Sequence, residues 1–103
     1  MALRIFNGTV ISAGAGSFTI SDEKGFGTQR LVLSITNLNA VGGNDLFISM
    51  QDEAEANKGR LVSPQATIIW STDGGYRPPN YTIRGYCAGA VNVAVYEEIA
   101  QSD

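Results

Sequence analysis

The chain predicts an all-β fold: a single small antiparallel β-sandwich, jelly-roll-like or Ig-like, of about seven or eight strands. Three observations carry this. From Arg30 to Glu97, short runs of alternating apolar and polar residues follow one another, the period of strands with one buried face. Gly, Pro, Asn and Asp separate the runs at short intervals, supplying turn chemistry. No stretch makes a convincing helix, which argues against βαβ units.

The elements follow in order. Leu3 to Ser12 is the first strand region. Asn7-Gly8 inside it admits two readings, a tight type I′ hairpin or a mid-strand bulge. Ala13 to Gly16 is a turn, and Ser17 to Ser21 a short strand with Phe18 and Ile20 on one face. Asp22 to Gly27 is a polar loop whose Gly25 and Gly27 permit positive φ. Gln29 to Thr36 is the clearest strand, with Leu31, Leu33 and Ile35 facing one way and Arg30, Val32, Ser34 and Thr36 the other. After the turn from Asn37 to Asn44, the segment Asp45 to Met50 repeats the alternation through Leu46, Ile48 and Met50.

Gln51 to Asn57 is acidic and reads as one helical turn or a loop. Gly59 to Val62 leads to Ser63-Pro64-Gln65, where the proline ends ladder pairing. Ala66 to Ser71 is a strand with Ile68 and Trp70 opposed to Ile69. Thr72 to Pro79 is the longest irregular segment. Asn80 to Cys87 reads as a strand with Tyr81, Ile83 and Cys87 opposed to Thr82, Arg84 and Tyr86. Ala88-Gly89 turns the chain into Ala90 to Glu97, with Val91, Val93 and Val95 inward, and residues 98–103 read as a frayed tail. Residues 1–103 are expected to form one domain, burying roughly two-thirds of the unfolded surface.

Composition restricts function. Charged residues are 17% of the chain, below the ordinary ~25%. Such a surface suits a protein covered by neighbours, or a small β protein rich in Gly, Ser, Thr and Asn. Net charge is −3, and the seven basic residues are scattered singly; nucleic-acid binding needs them concentrated, so it is not expected. There is no histidine and one cysteine, which removes Ser–His–Asp and Cys–His catalysis and zinc ligation. Lys24 and Lys58 fall in polar loops, where solvated lysines do little chemistry.

Asp45, Asp52, Glu53 and Glu55 supply oxygen ligands but lack the spacing of a calcium loop, and read as a solvated acidic segment. Glu97 and Glu98 are adjacent, so a strand points them to opposite faces, and they read as a solvated strand end rather than a glycosidase pair. The glycines form no phosphate loop. No enzyme activity, metal or cofactor is expected. Cys87 lies in an apolar strand and reads as a buried free thiol. The first residues lack the apolar core of a signal peptide, and no apolar run approaches the ~18 residues of a membrane span. Folding in a reducing cytoplasm without a membrane span is the expectation.

Tyr76, Arg77, Pro78, Pro79 and Tyr81 form the best binding candidate. Aromatics, arginine and stiff prolines give large contact area at low entropy cost. The competing reading is that the prolines stiffen an inter-strand loop and the tyrosines cover the core edge.

The order Arg30-Leu31-Val32-Leu33-Ser34-Ile35-Thr36-Asn37, Asp45-Leu46-Phe47-Ile48, Lys58-Gly59-Arg60-Leu61-Val62-Ser63-Pro64, Tyr81 to Ala88 and Val91 to Glu97 resembles small phage virion proteins. These are head-decoration, head-fibre or minor capsid β-sandwich domains, and Thr72 to Pro79 has no counterpart in the pattern. The resemblance implies a non-enzymatic structural role on a virus particle assembled in the host cytoplasm. Its implied partners are the major capsid protein or other virion proteins, often with the chain as a homotrimer. Leu3, Ile5 and Phe6 then join the Tyr76 to Tyr81 loop as contacts. The alternative is a carbohydrate-binding or host-adhesion module, with Trp70, Tyr76 and Tyr81 as its stacking surface.

Overall fold

A computed structural model describes residues 3–25, 27–50, 59–71 and 80–101. The chain runs through β1 (Leu3–Ala13), β2 (Gly16–Ser21), β3 (Thr28–Asn37), β4 (Leu46–Met50), β5 (Arg60–Val62), β6 (Thr67–Ser71), β7 (Ile83–Cys87) and β8 (Val91–Gln101). Two four-stranded sheets result, ordered β1-β8-β3-β6 and β2-β7-β4-β5. Every pairing is antiparallel. The pairs β1·β8, β2·β7, β3·β6 and β4·β5 lay the first half of the chain back against the second. That is one long hairpin rolled into two sheets, the jelly roll. Of the two sandwich topologies expected, the structure adopts this one.

The core forms where inward positions of both sheets meet. Leu33 and Ile35 on β3 and Val91, Val93 and Val95 on β8 face Leu46, Ile48, Ile83 and Cys87 from the other sheet. Phe18, Met50, Ile68 and Trp70 pack around that centre. Gly85 sits in its middle, where an added Cβ would lie 2.8 Å from Phe18 and 2.9 Å from Ile20. The glycine lets those two side chains occupy the space above β7.

Several expectations need correction. Asn7-Gly8 makes neither a hairpin nor a bulge, because β1 runs straight through it in unbroken register with β8. Gly8 stands opposite Tyr96, whose ring covers the bare backbone and supplies the side-chain packing that glycine lacks. Residues 98–101 are not a frayed tail. They continue β8, which lies between β1 and β3 and pairs with both as far as Gln101. Residues 80–82 precede β7 rather than opening it, so Tyr81 stands 54% exposed instead of on the core face.

A further correction concerns β3. The ladder to β8 shifts by one residue between Arg30 and Val32. A bulge adds one residue and so reverses which face the next side chain takes. Arg30 therefore shares the inward side with Leu33 and Ile35 and is fully buried, while Leu31 is only half-buried. A second bulge between Thr19 and Ser21 turns both Ile20 and Ser21 inward on β2. The two bulges aim Ser21 and Arg30 at one another. The acidic segment Gln51 to Asn57 lies outside the described residues.

β3 carries a buried polar hub at each end. At its start, Arg30 donates from Nε to Glu97 Oε2 at 2.7 Å, from Nη1 to the Tyr81 carbonyl at 2.7 Å, and from Nη2 to Ser21 Oγ and the Asp22 carbonyl. Ser21 Oγ in turn donates to the Glu97 carboxylate. Glu97 is thus a buried ion-pair partner and not a solvated strand end. Lys24 Nζ lies 3.7 Å from the same carboxylate and is largely covered, correcting its reading as a solvated lysine.

At the far end, Asn37 is also fully buried. Its Nδ2 donates to the carbonyls of Asn44 and Val62, and its Oδ1 accepts from the Asn39 amide. Gln65, held at a positive φ of 68° beside Pro64, donates its amide to the Asn37 carbonyl and its Nε2 to the carbonyls of Leu38 and Asn39. The hub therefore ties the β3–β4 turn to the β5–β6 turn.

Candidate contact surface

The first contact element predicted from sequence lies on β1. This strand is eleven residues long and stands at the edge of its sheet, with β8 on one side and no described strand on the other. Leu3 opens it opposite Gln101. Ile5 is half-buried and Phe6 is 59% exposed. Val10, which the sequence did not single out, is 61% exposed on the same face as Phe6.

Of the second element, Tyr76, Arg77, Pro78 and Pro79 lie outside the described residues. Tyr81 is described and exposed. Its backbone is fixed from several sides. The Arg30 guanidinium donates to the Tyr81 carbonyl, the Arg30 amide donates to Asn80 Oδ1, and Asn80 Nδ2 donates to the Thr28 carbonyl. The Lys24 amide donates to the Asn80 carbonyl. Asn80 thereby occupies backbone groups of β3 much as another strand would.

The topology brings the two elements to one end of the sandwich. Leu3 and Thr28 both pair with Gln101, and Ile5 and Arg30 both pair with Ile99. The start of β1 and the segment held against Thr28 and Arg30 are thus separated by β8 alone, about 10 Å between the flanking strands.

The outward face of the β1-β8-β3-β6 sheet is nearly free of charge. Its rows read Phe6–Glu98–Val32–Ser71, Gly8–Tyr96–Ser34–Ile69 and Val10–Ala94–Thr36–Thr67. Glu98 is the single charged residue in these rows, and Arg4 at the end of β1 binds it at 2.6 Å. The Arg4 guanidinium also lies 5.7 Å from the Phe6 ring centre, and Tyr96 Oη donates to Glu98 Oε2 at 3.2 Å. The Tyr96 phenol is held above its ordinary pKa, first by partial desolvation and then by the Glu98 carboxylate, with Arg4 opposing. Ile69, at 62% exposed, sits across the face from Val10. A solvent-facing antiparallel sheet ordinarily presents polar side chains outward. This one presents aliphatic, aromatic and hydroxyl groups.

Three of the described basic residues are engaged separately. Arg30 is buried, Arg4 is bound to Glu98, and Arg60 lies 5.8 Å from the Trp70 ring centre. Trp70 packs against the core. Among the described residues, no group of three or more Cys, Asp or Glu side chains is placed to hold a metal ion.

No protein-family model matches the chain, and no curated protein matches it. Among solved structures, it is similar to a chain of the Bacillus endospore appendages, described as a novel family of disulfide-linked pili. The match covers 99% of this chain and 90% of the other, with a TM-score of 0.54 and 11% sequence identity. At that identity the likeness is one of fold.

The thiol chemistry of this chain is nevertheless specific. Cys87 is its one cysteine, and it is fully buried in β7. We expect Cys87 to react with a disulfide reagent such as DTNB at least about a hundredfold more slowly in buffer than in denaturant, because reaction requires opening of the core. Equal rates in the two conditions would place the thiol at the surface.

Proposed function

We propose that this chain is a non-enzymatic structural subunit that works by contact with other chains in a larger assembly. The observation that carries the reading is the combination of an eleven-residue edge strand with no described strand on its outer side and an adjoining sheet face whose charge is one internally neutralised pair. Jelly rolls recur in viral capsid and lectin domains, and the fold neighbour comes from an assembled bacterial appendage. Both are analogies of fold, and a fold alone does not assign function. The edge and the face are what favour assembly.

Within that class, the segment order from Arg30 to Glu97 favours a virion protein that binds a capsid lattice or another virion protein. A glycan-binding surface built from Trp70, Tyr76 and Tyr81 is less well supported, because Trp70 packs against the core. The test is to purify intact virus-like particles from cells that express the chain. The virion reading expects the chain in the particles, and expects purified chain to rebind particles that lack it. Recovery only in the soluble fraction, with no affinity for particles, would contradict it.

A further inference from the structure

The four sheet edges are not alike. β5 has three residues and β6 five, while β2 is broken by a bulge. Short edges, bulges, charges and prolines are the usual devices that keep strangers from pairing with an exposed strand. β1 carries none of them between Ile5 and Ala13: its register with β8 is unbroken, and those residues include no charge and no proline.

We propose that β1 is a self-pairing edge, and that it pairs antiparallel with β1 of a second copy about a two-fold axis through Gly8. The inference rests on reading the chain as an assembly subunit, and it names the contact. The strand is close to a palindrome in side-chain character. Centred on Gly8, the register sets Phe6 opposite Val10, Ile5 opposite Ile11 and Asn7 opposite Thr9. Leu3 then meets Ala13 and Arg4 meets Ser12, so apolar meets apolar, polar meets polar, and all eleven residues pair.

A two-fold axis normal to the sheet keeps the outward faces on one side, so the register can shift only in steps that preserve the alternation. Centring on Asn7 sets Ile5 against Thr9 and Phe6 against Gly8. Centring on Thr9 sets Asn7 against Ile11 and Phe6 against Ser12. Gly8 is therefore the favoured axis. An isologous pairing of this kind closes as a dimer. It joins two four-stranded sheets into one, with about ten to twelve new backbone hydrogen bonds. It also lays Phe6 of each copy beside Val10 of the other, an aromatic with a β-branched residue, among the more favourable cross-strand pairs.

The test uses the full chain and two double variants, Phe6→Lys with Val10→Lys, and Phe6→Glu with Val10→Glu. Both positions are largely exposed, so the far-UV circular dichroism of each variant should match the parent and show that the fold is kept. Each variant alone faces like charges at both cross-strand positions, and its dimer dissociation constant should rise at least about tenfold. Mixing the two should restore a dimer containing one of each. Register is tested separately by oxidation. Gly8→Cys should give an interchain disulfide, and Ser12→Cys, set opposite Arg4, should not, with buried Cys87 silent in both.

Charge variants that dimerise like the parent, or a mixture that stays monomeric, would overturn the pairing. Equal cross-linking at Gly8 and Ser12 would overturn the register. If the chain is found in particles while these variants behave like the parent, the contact fails and the assembly reading stands. If the dimer forms as described and particles lack the chain, the assembly role fails and the contact stands.

Discussion

Arg30→Ala is expected to destabilise the domain by about 3–5 kcal/mol, the range for removing one member of a buried ion pair. The side chain is fully buried and satisfies groups on three elements at once: Glu97 on β8, Ser21 on β2, and the Tyr81 carbonyl ahead of β7. Its loss leaves the Glu97 carboxylate under cover with only Ser21 and the more distant Lys24 ammonium. Against a total stability of about 5–15 kcal/mol for a domain of this kind, that loss is a large fraction. Urea titration followed by tryptophan fluorescence and circular dichroism measures it. Arg30→Lys keeps the charge but not the planar fork, so it should recover only part of the loss. Arg30→Met combined with Glu97→Leu removes both charges and should be less damaging than Arg30→Ala alone. If Arg30→Ala unfolds at the parent's urea midpoint, the hub contributes nothing to stability.

Asn37→Ala is expected to cost about 2–4 kcal/mol, the sum of a few hydrogen bonds lost at a buried site. Its Nδ2 holds the carbonyls of Asn44 and Val62 and its Oδ1 holds the Asn39 amide. The Val62 carbonyl in particular is left in a buried setting without that donor, and unmet buried groups are the costly outcome. Asn37→Asp should be at least as harmful, since a carboxylate cannot donate to those two carbonyls. Amide exchange should show the loss first in the turn from Leu38 to Asn44 and in β5, the segments the side chain ties together. Uniform loss of protection across both sheets, with no early opening there, would contradict a local tie.

Much of the fold is legible in the residues. The alternations Leu33/Ile35, Leu46/Ile48 and Val91/Val93/Val95 place their side chains in the core, and Pro64 falls just beyond β5. What period-2 reading misses is a change of phase. A bulge is set by cross-strand pairing, which one strand's own sequence does not display. Thus Arg30 reads as outward from its neighbours Val32 and Ser34, and becomes buried because the ladder slips beside it. The same limit hides Glu97, whose partner is sixty-seven residues away. A signal was present in the isolation of Arg30, the only charged residue of β3. Glu98 misled in the other direction: charges at a strand's end read as a tail, yet β8 is sandwiched between β1 and β3 and is held by both.

The contact surface is partly legible for the same reason. The resemblance implies Leu3, Ile5 and Phe6 as contacts, and they lie on β1, beyond which no described strand pairs. Val10 was missed because the Asn7-Gly8 pair reads as a break, which hides that one strand continues to Ala13. Only the continuous strand, with Gly8 at its midpoint, shows the symmetry of its two halves.

The most direct measurement is the solution mass of the unmodified chain by light scattering over a wide concentration range. A contact protein with a self-pairing β1 edge should rise from its monomer mass of 10.9 kDa to twice that value, with the transition moved to higher concentration by the double charge variants. A mass that stays at 10.9 kDa up to millimolar protein, unchanged by those variants, would contradict it.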